Sequence, residues 1–258
     1  IMHFKILHGT PSIRPIVAVL VFLFCLSGCQ ISFLNLFGGG KERVRHTPEG
    51  LYAGGVYEFN KGNYKKAREY FTLVKEEYPL HEMAIMARIG IADSYFSQKK
   101  YAEAENEYND FIIFHPTNEN VPYVLYQIGM CHYNRIEAID RDQTSTVLAR
   151  REFEKLAARY PESKFALMAE EKLRDCKQKL AEHEFYVGQF YFHQKKYQAA
   201  LARFETIERE YANVGLDYKV AYFINETKIR IAEEEKLERE KKHKLQKEKE
   251  EKTRSARN

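Results

Sequence analysis

Tryptophan is absent from the 258 residues, and glycine and proline are scarce at 13 and 7. So few breakers exclude a collagen-like or proline-rich low-complexity chain and leave room for long helices. Cysteine is limited to Cys25, Cys29, Cys131 and Cys176, none spaced as in a metal site. No phosphate loop, GxSxG or GxGxxG is present. His81-Glu82 and His183-Glu184 begin like a zinc-protease motif, but Ile85 and Val187 stand where its second His belongs. Without a catalytic constellation no enzyme is expected, no catalytic residue, no metal and no cofactor. Long apolar runs are missing too, apart from Ile16 to Leu26, which is too short to cross a bilayer as a helix of ~20 residues.

The chain does hold 18 Tyr and 17 Phe, and 41 Lys+Arg stand against 37 Asp+Glu for a net charge of +4. That excess has an address. Lys5 and Arg14 are the only charges in the first 28 residues, and residues 233 to 258 hold ten basic and eight acidic side chains. The stretch between is neutral overall, so the basicity gives no support for a nucleic-acid partner.

A basic start followed by a short apolar run is a secretory signal, with Met2 the expected start. Its end, Leu26-Ser27-Gly28-Cys29, resembles the bacterial lipobox. The resemblance implies cleavage before Cys29, lipidation of its thiol and amino terminus, and enough acyl chains for stable anchoring. An ordinary signal peptide or a lone anchor helix is the alternative. By the same resemblance to lipoprotein signals, Gln30 rather than Asp after the cysteine implies sorting to the outer membrane, with the remainder facing the periplasm. Residues 1–28 are then a signal peptide and 29–47 a lipidated cysteine with a flexible tether around Gly38-Gly39-Gly40. In that oxidising compartment Cys131 and Cys176 read as two buried small apolar residues, a disulfide being the alternative.

From Pro48 the chain repeats itself. Ala67/Phe71/Val74, Ala104/Tyr108/Phe111, Ala149/Phe153/Leu156 and Ala200/Phe204/Ile207 share offsets of four and three, which put each trio on one helix face. Pro79, Pro116 and Pro161 end the first three helices. A small residue in the preceding helix, Gly55, Ala92, Gly129 or Gly188, marks a close approach. Tyr64, Tyr101 and Tyr197 open the second helix in three of the four units. Together these resemble the tetratricopeptide repeat, a helix-turn-helix of about 34 residues. The expected fold is all-α, a right-handed tetratricopeptide superhelix of about five units over residues 48–232. An insertion near Ile139 to Ser145 delays the third unit's second helix. Ser163 to Gln194 reads as one long helix capped by Ser163. A fifth unit starts near Leu216 but lacks a recognisable second helix. Residues 233–258 form a charged C-terminal extension, a frayed helix by its i,i+4 pairs or a disordered segment; a functional basic tail is the alternative.

Repeat register puts Tyr52, Phe59, Asn60, Asp93, Phe96, Tyr123, Tyr126, Tyr133 and Asn134 on the first helices, which line the groove of such repeats. These are candidates for contacting an extended peptide. Packing between repeats is the competing role for each ring.

Lipobox, tether and ordered repeats together resemble the BamD family, lipoproteins of the outer-membrane β-barrel assembly (BAM) machine. The likeness runs from Pro48 to about Ile231. It is carried by LYAGGVYEFNKGNYKKAREYFTLVKEEYP, by the interrupted RIEAIDRDQTSTVLARREFEKLAARYPES and by LRDCKQKLAEHEFYVGQFYFHQKKYQAALARFETIEREY. The resemblance implies N-terminal repeats that receive the C-terminal signal of unfolded barrel proteins. It also implies C-terminal repeats that dock the POTRA region of a BamA-like barrel, with other BAM lipoproteins as further partners. Arg203 matches the family's arginine that pairs with a POTRA carboxylate. The rival reading is another periplasmic repeat lipoprotein, such as a secretin pilotin or a cell-wall adaptor.

Overall fold

The computed structural model describes residues 46–255. The expected signal peptide, the lipidated Cys29 and nearly all of the tether lie outside them. Among the described residues there are nine helices and no strand: α1 (Pro48–Asn60), α2 (Tyr64–Glu77), α3 (Glu82–Ser97), α4 (Tyr101–Phe114), α5 (Val121–Tyr133), α6 (Thr144–Arg159), α7 (Lys164–His193), α8 (Tyr197–Glu210) and α9 (Asp217–Ser255). Each packs on its neighbours in sequence as a stack of antiparallel hairpins. No described helix is long and apolar enough to cross a membrane.

Local chemistry sets the helix ends. Thr47 Oγ1 accepts from the Gly50 amide at 3.1 Å, with Pro48 in the first helical turn where its missing N–H does no harm. Ser163 caps α7 by accepting from the Phe165 amide at 3.2 Å, as its position in the sequence leads one to expect. Tyr78, His115 and Tyr160 each precede a proline and turn out of the helical region, to φ −128°, −135° and −137°.

Three hairpins share one turn. Gly62, Lys99 and Lys195 take left-handed φ values of 78°, 60° and 59°. The following amides of Asn63, Lys100 and Lys196 bond back to the Glu58, Tyr95 and Tyr191 carbonyls at 2.9, 3.0 and 2.9 Å, closing a Schellman motif. Phe59, Phe96 and Phe192 then meet Tyr64, Tyr101 and Tyr197 edge-on at 5.3, 5.4 and 5.5 Å. The opening tyrosine of the repeat therefore staples its own hairpin. The third hairpin has no such turn. Residues 134–143 replace it, and Gln143 holds them by donating to the Ala138 carbonyl at 2.9 Å and accepting from Thr146 at 2.8 Å. His183 of α7 meets the Ile139 carbonyl at 2.6 Å.

The core is the repeat pattern made solid. In α2, α4 and α8 the three buried residues are the trios expected from the sequence, and the α6 trio is buried as well. An ideal Cβ on Gly55 would stand 2.5 Å from Phe71, and one on Gly188 2.6 Å from Phe204; Gly129 meets Phe153 in the same way. The rings fill slots that only glycine leaves open. Gly90 belongs to this set, although the repeat pattern passes it over. A Cβ there would lie 2.7 Å from Phe71, so that ring is gripped from both sides. Cys131 and Cys176 are free, buried thiols whose acidity burial weakens, to a pKa of about 12 each.

Helix α7 runs for 30 residues and serves two units, its first half packing on α6 and its second on α8. The fifth unit's first helix does not end where its repeat would. Val220, Ile224 and Thr227 are the buried positions of α9, and Phe223 lies 5.3 Å from both Phe185 and Phe204. That cluster covers the open end of the fourth unit. The helix then continues through the charged extension, 39 residues in all, with no buried side chain beyond Thr227.

Candidate functional site

The first helices of successive units turn their inner faces onto one cleft of about 500 Å3. Four sequence candidates line it: Tyr52 and Phe59 from α1, Asp93 from α3 and Tyr123 from α5. The other five lie elsewhere. Asn60 is exposed at the end of α1 and Phe96 staples its hairpin. Tyr126 packs between Phe153 at 5.9 Å and Phe165 at 6.1 Å. Tyr133 donates to Asp175 of α7 at 2.6 Å, and Asn134 closes the end of α5 by donating to the Met130 carbonyl at 2.7 Å.

The cleft also holds Phe71, Met86, Gly90, Glu119, Lys164 and Phe165, which repeat register does not single out. Phe165 comes from the first turn of α7, the half of that helix that fits no repeat of its own. Its ring lies 5.3 Å from Tyr123. The available signal was the Ser163 cap, which fixes where α7 starts. The lining is mostly aromatic and apolar, open along one side, and suited to an extended segment with large side chains.

One charged group sits in its wall. Asp93 Oδ1 accepts from the Tyr108 hydroxyl at 2.5 Å and from the Tyr123 hydroxyl at 2.8 Å. Gln127 donates to Tyr123 in turn at 2.9 Å. Burial raises the Asp93 pKa above its ordinary value, against the two tyrosyl hydrogen bonds. The same burial, with the Asp93 charge beside them, pushes Tyr108 and Tyr123 upward, so both hydroxyls remain donors.

Arg203 lies apart from the cleft, on α8. Its Nη1 is 3.0 Å from Glu184 Oε2 of α7, and 44% of its side chain remains exposed. Among the described residues no cluster of three or more His, Cys, Asp and Glu side chains is arranged to hold a metal.

Paired helices with plugged small-residue slots and a cleft along their first helices define a tetratricopeptide-repeat protein. Residues 45–245 match the family model described as YfiO, outer membrane lipoprotein, and the chain belongs to that family. Outer membrane protein assembly factor BamD of Rickettsia prowazekii (strain Madrid E) is 31% identical over 177 residues, 69% of this chain and 70% of that protein. The BamD protein of Caulobacter vibrioides is 27% identical over 207 residues, 79% of this chain and 65% of its own length. Among solved structures, the TPR2AB domain of yeast Sti1 in its pHSP90 complex aligns with a TM-score of 0.42 at 14% identity, covering 71% of this chain and 70% of that one.

Proposed function

We propose that this chain is a non-catalytic assembly factor of the outer membrane, anchored through lipid on Cys29 and facing the periplasm. Its cleft receives segments of unfolded barrel proteins, and its C-terminal units dock the POTRA region of a BamA-like barrel. Membership of the outer membrane lipoprotein family, with relatives named outer membrane protein assembly factor BamD, is the observation that carries this reading. The aromatic cleft supports the first role, because it offers large apolar contact area without a reactive constellation. The exposed part of Arg203 supports the second. An incoming carboxylate shares the guanidinium with Glu184, and such a rim pair sets register and specificity more than raw affinity.

Capture of the chain from solubilised membranes tests the reading. The expected co-purifying protein is a POTRA-bearing barrel; a secretin or a cell-wall protein in its place overturns it. Arg203→Glu is expected to weaken that capture with the helical circular dichroism intact, and Cys29→Ala to move the chain from the membrane to the soluble fraction.

A further inference from the structure

Other carboxylates drawn beneath neighbouring side chains have a base beside them. Glu58 has Lys66 at 2.6 Å, Glu105 has Arg135 at 2.8 Å, Glu152 has Lys155 at 3.2 Å and Glu184 has Arg203 at 3.0 Å. Asp93 has none: among the described residues no Lys, Arg or His nitrogen lies within 4.0 Å of it. A carboxylate drawn out of water with only neutral donors is under-compensated, and an opposite charge restores the balance.

The geometry leaves one place for that charge. Both tyrosyl hydroxyls fall on Oδ1, and no described group donates to Oδ2. The side chain lines the cleft, and the cleft is therefore the route by which a cation reaches it. The same cleft is lined by the rings of Tyr52, Phe59, Tyr123 and Phe165, Tyr123 bonding Asp93 directly, and Glu119 adds a second negative charge to the lining. Lys164, the cleft's own base, lies over the Phe165 ring at 5.0 Å from its centroid rather than on Asp93. An aromatic cleft with an uncompensated carboxylate in its wall forms a site for a cation carried on an apolar stem.

We propose that Asp93 is a specificity-determining residue of the cleft, and that the cleft selects peptide segments presenting a cationic side chain, arginine above all, between large apolar residues. Arginine fits best because its planar group stacks on rings while its N–H fork reaches an acceptor. The inference rests on the peptide-binding role proposed above and names the class of side chain that role favours.

Three fluorescein-labelled capped pentapeptides test it, identical except for Arg, Gln or Glu between a Phe and a Tyr, titrated into the full chain in detergent by anisotropy. The wild type is expected to bind the arginine peptide about tenfold more tightly than the glutamine one, with the glutamate peptide weakest. Asp93→Asn keeps an acceptor for both tyrosines, and is expected to bring the arginine and glutamine peptides within about twofold of each other. Equal affinity of these two for the wild type overturns the proposal without use of a variant. So does an arginine preference that survives Asp93→Asn, or an arginine peptide that does not bind at all. Equal, measurable binding of both peptides removes the cationic subsite but leaves the peptide-binding role standing.

Discussion

The slot at the second repeat differs from those at the first, third and fourth. In those three a phenylalanine ring meets a bare glycine, as Phe204 meets Gly188, and the contact is wholly apolar. In the second, the repeat's small residue is Ala92 and the ring is Tyr108, both fully buried in one cluster, and the Tyr108 hydroxyl reaches Asp93. The pattern of small residue, then aromatic, is the same at all four. Only in the second is the packing ring hydrogen-bonded to a carboxylate of the cleft wall. A core position has there been made the support of a carboxylate in the cleft wall, and the departure from the repeat lies beside the candidate site.

Breaking an ordinary slot has the largest expected effect. Phe204→Ala should remove about 3–5 kcal/mol from urea-unfolding stability, as for other fully buried aromatics. Filling the slot from the other side, Gly188→Ala, should cost about 1–3 kcal/mol, because the buried ring must shift to admit the methyl group. At the second repeat the sign reverses. Burial holds the Asp93 pKa above its unfolded value, so the stability this group contributes is full at acid pH and is lost as pH rises through the folded pKa. Asp93→Asn is therefore expected to raise stability at pH 7 by about 1 kcal/mol if both tyrosyl bonds are kept. The gain should shrink at acid pH, below the unfolded carboxyl's ordinary value of about 3.9, where the wild-type group is protonated in both states. Unfolding midpoints at the two pH values check the sign. The smallest effect concerns the shared turn, where Gly62 has no side chain to strain but Lys99 does, at φ 60°. Lys99→Gly should stabilise by up to about 1 kcal/mol, read as a rise in melting temperature.

The repeat cores were legible because a buried trio at offsets of four and three has a single helical reading. Ala149, Phe153 and Leu156 could be assigned to a core without any structure. The glycine slots were legible in part. Gly90 escaped because its close approach is to Phe71, a ring of the preceding unit, and no pattern internal to one repeat encodes that contact. The cleft was legible at Tyr52, Phe59, Asp93 and Tyr123, where register alone sets the direction of the side chain. It was not legible at Phe165, since α7 adds a half-helix that belongs to no repeat. Nor did composition separate cleft rings from packing rings: Tyr126 and Tyr133 sit on the same helix as Tyr123 but spend their faces on Phe153. The ion-pair spacing of the charged extension leaves a frayed helix and a disordered segment both open, and its continuity with the fifth unit's first helix is not legible, because a repeat pattern predicts a turn there.

The central claim is that the cleft, and not the outer surface, receives unfolded chains. A photoreactive amino acid placed at Tyr52, in the cleft wall, and separately at Tyr57, 57% exposed on the same helix and outside the cleft, tests it in living cells. The account predicts crosslinks from position 52 to newly made outer-membrane proteins and none from position 57. Equal labelling from both positions, or labelling from 57 alone, contradicts it.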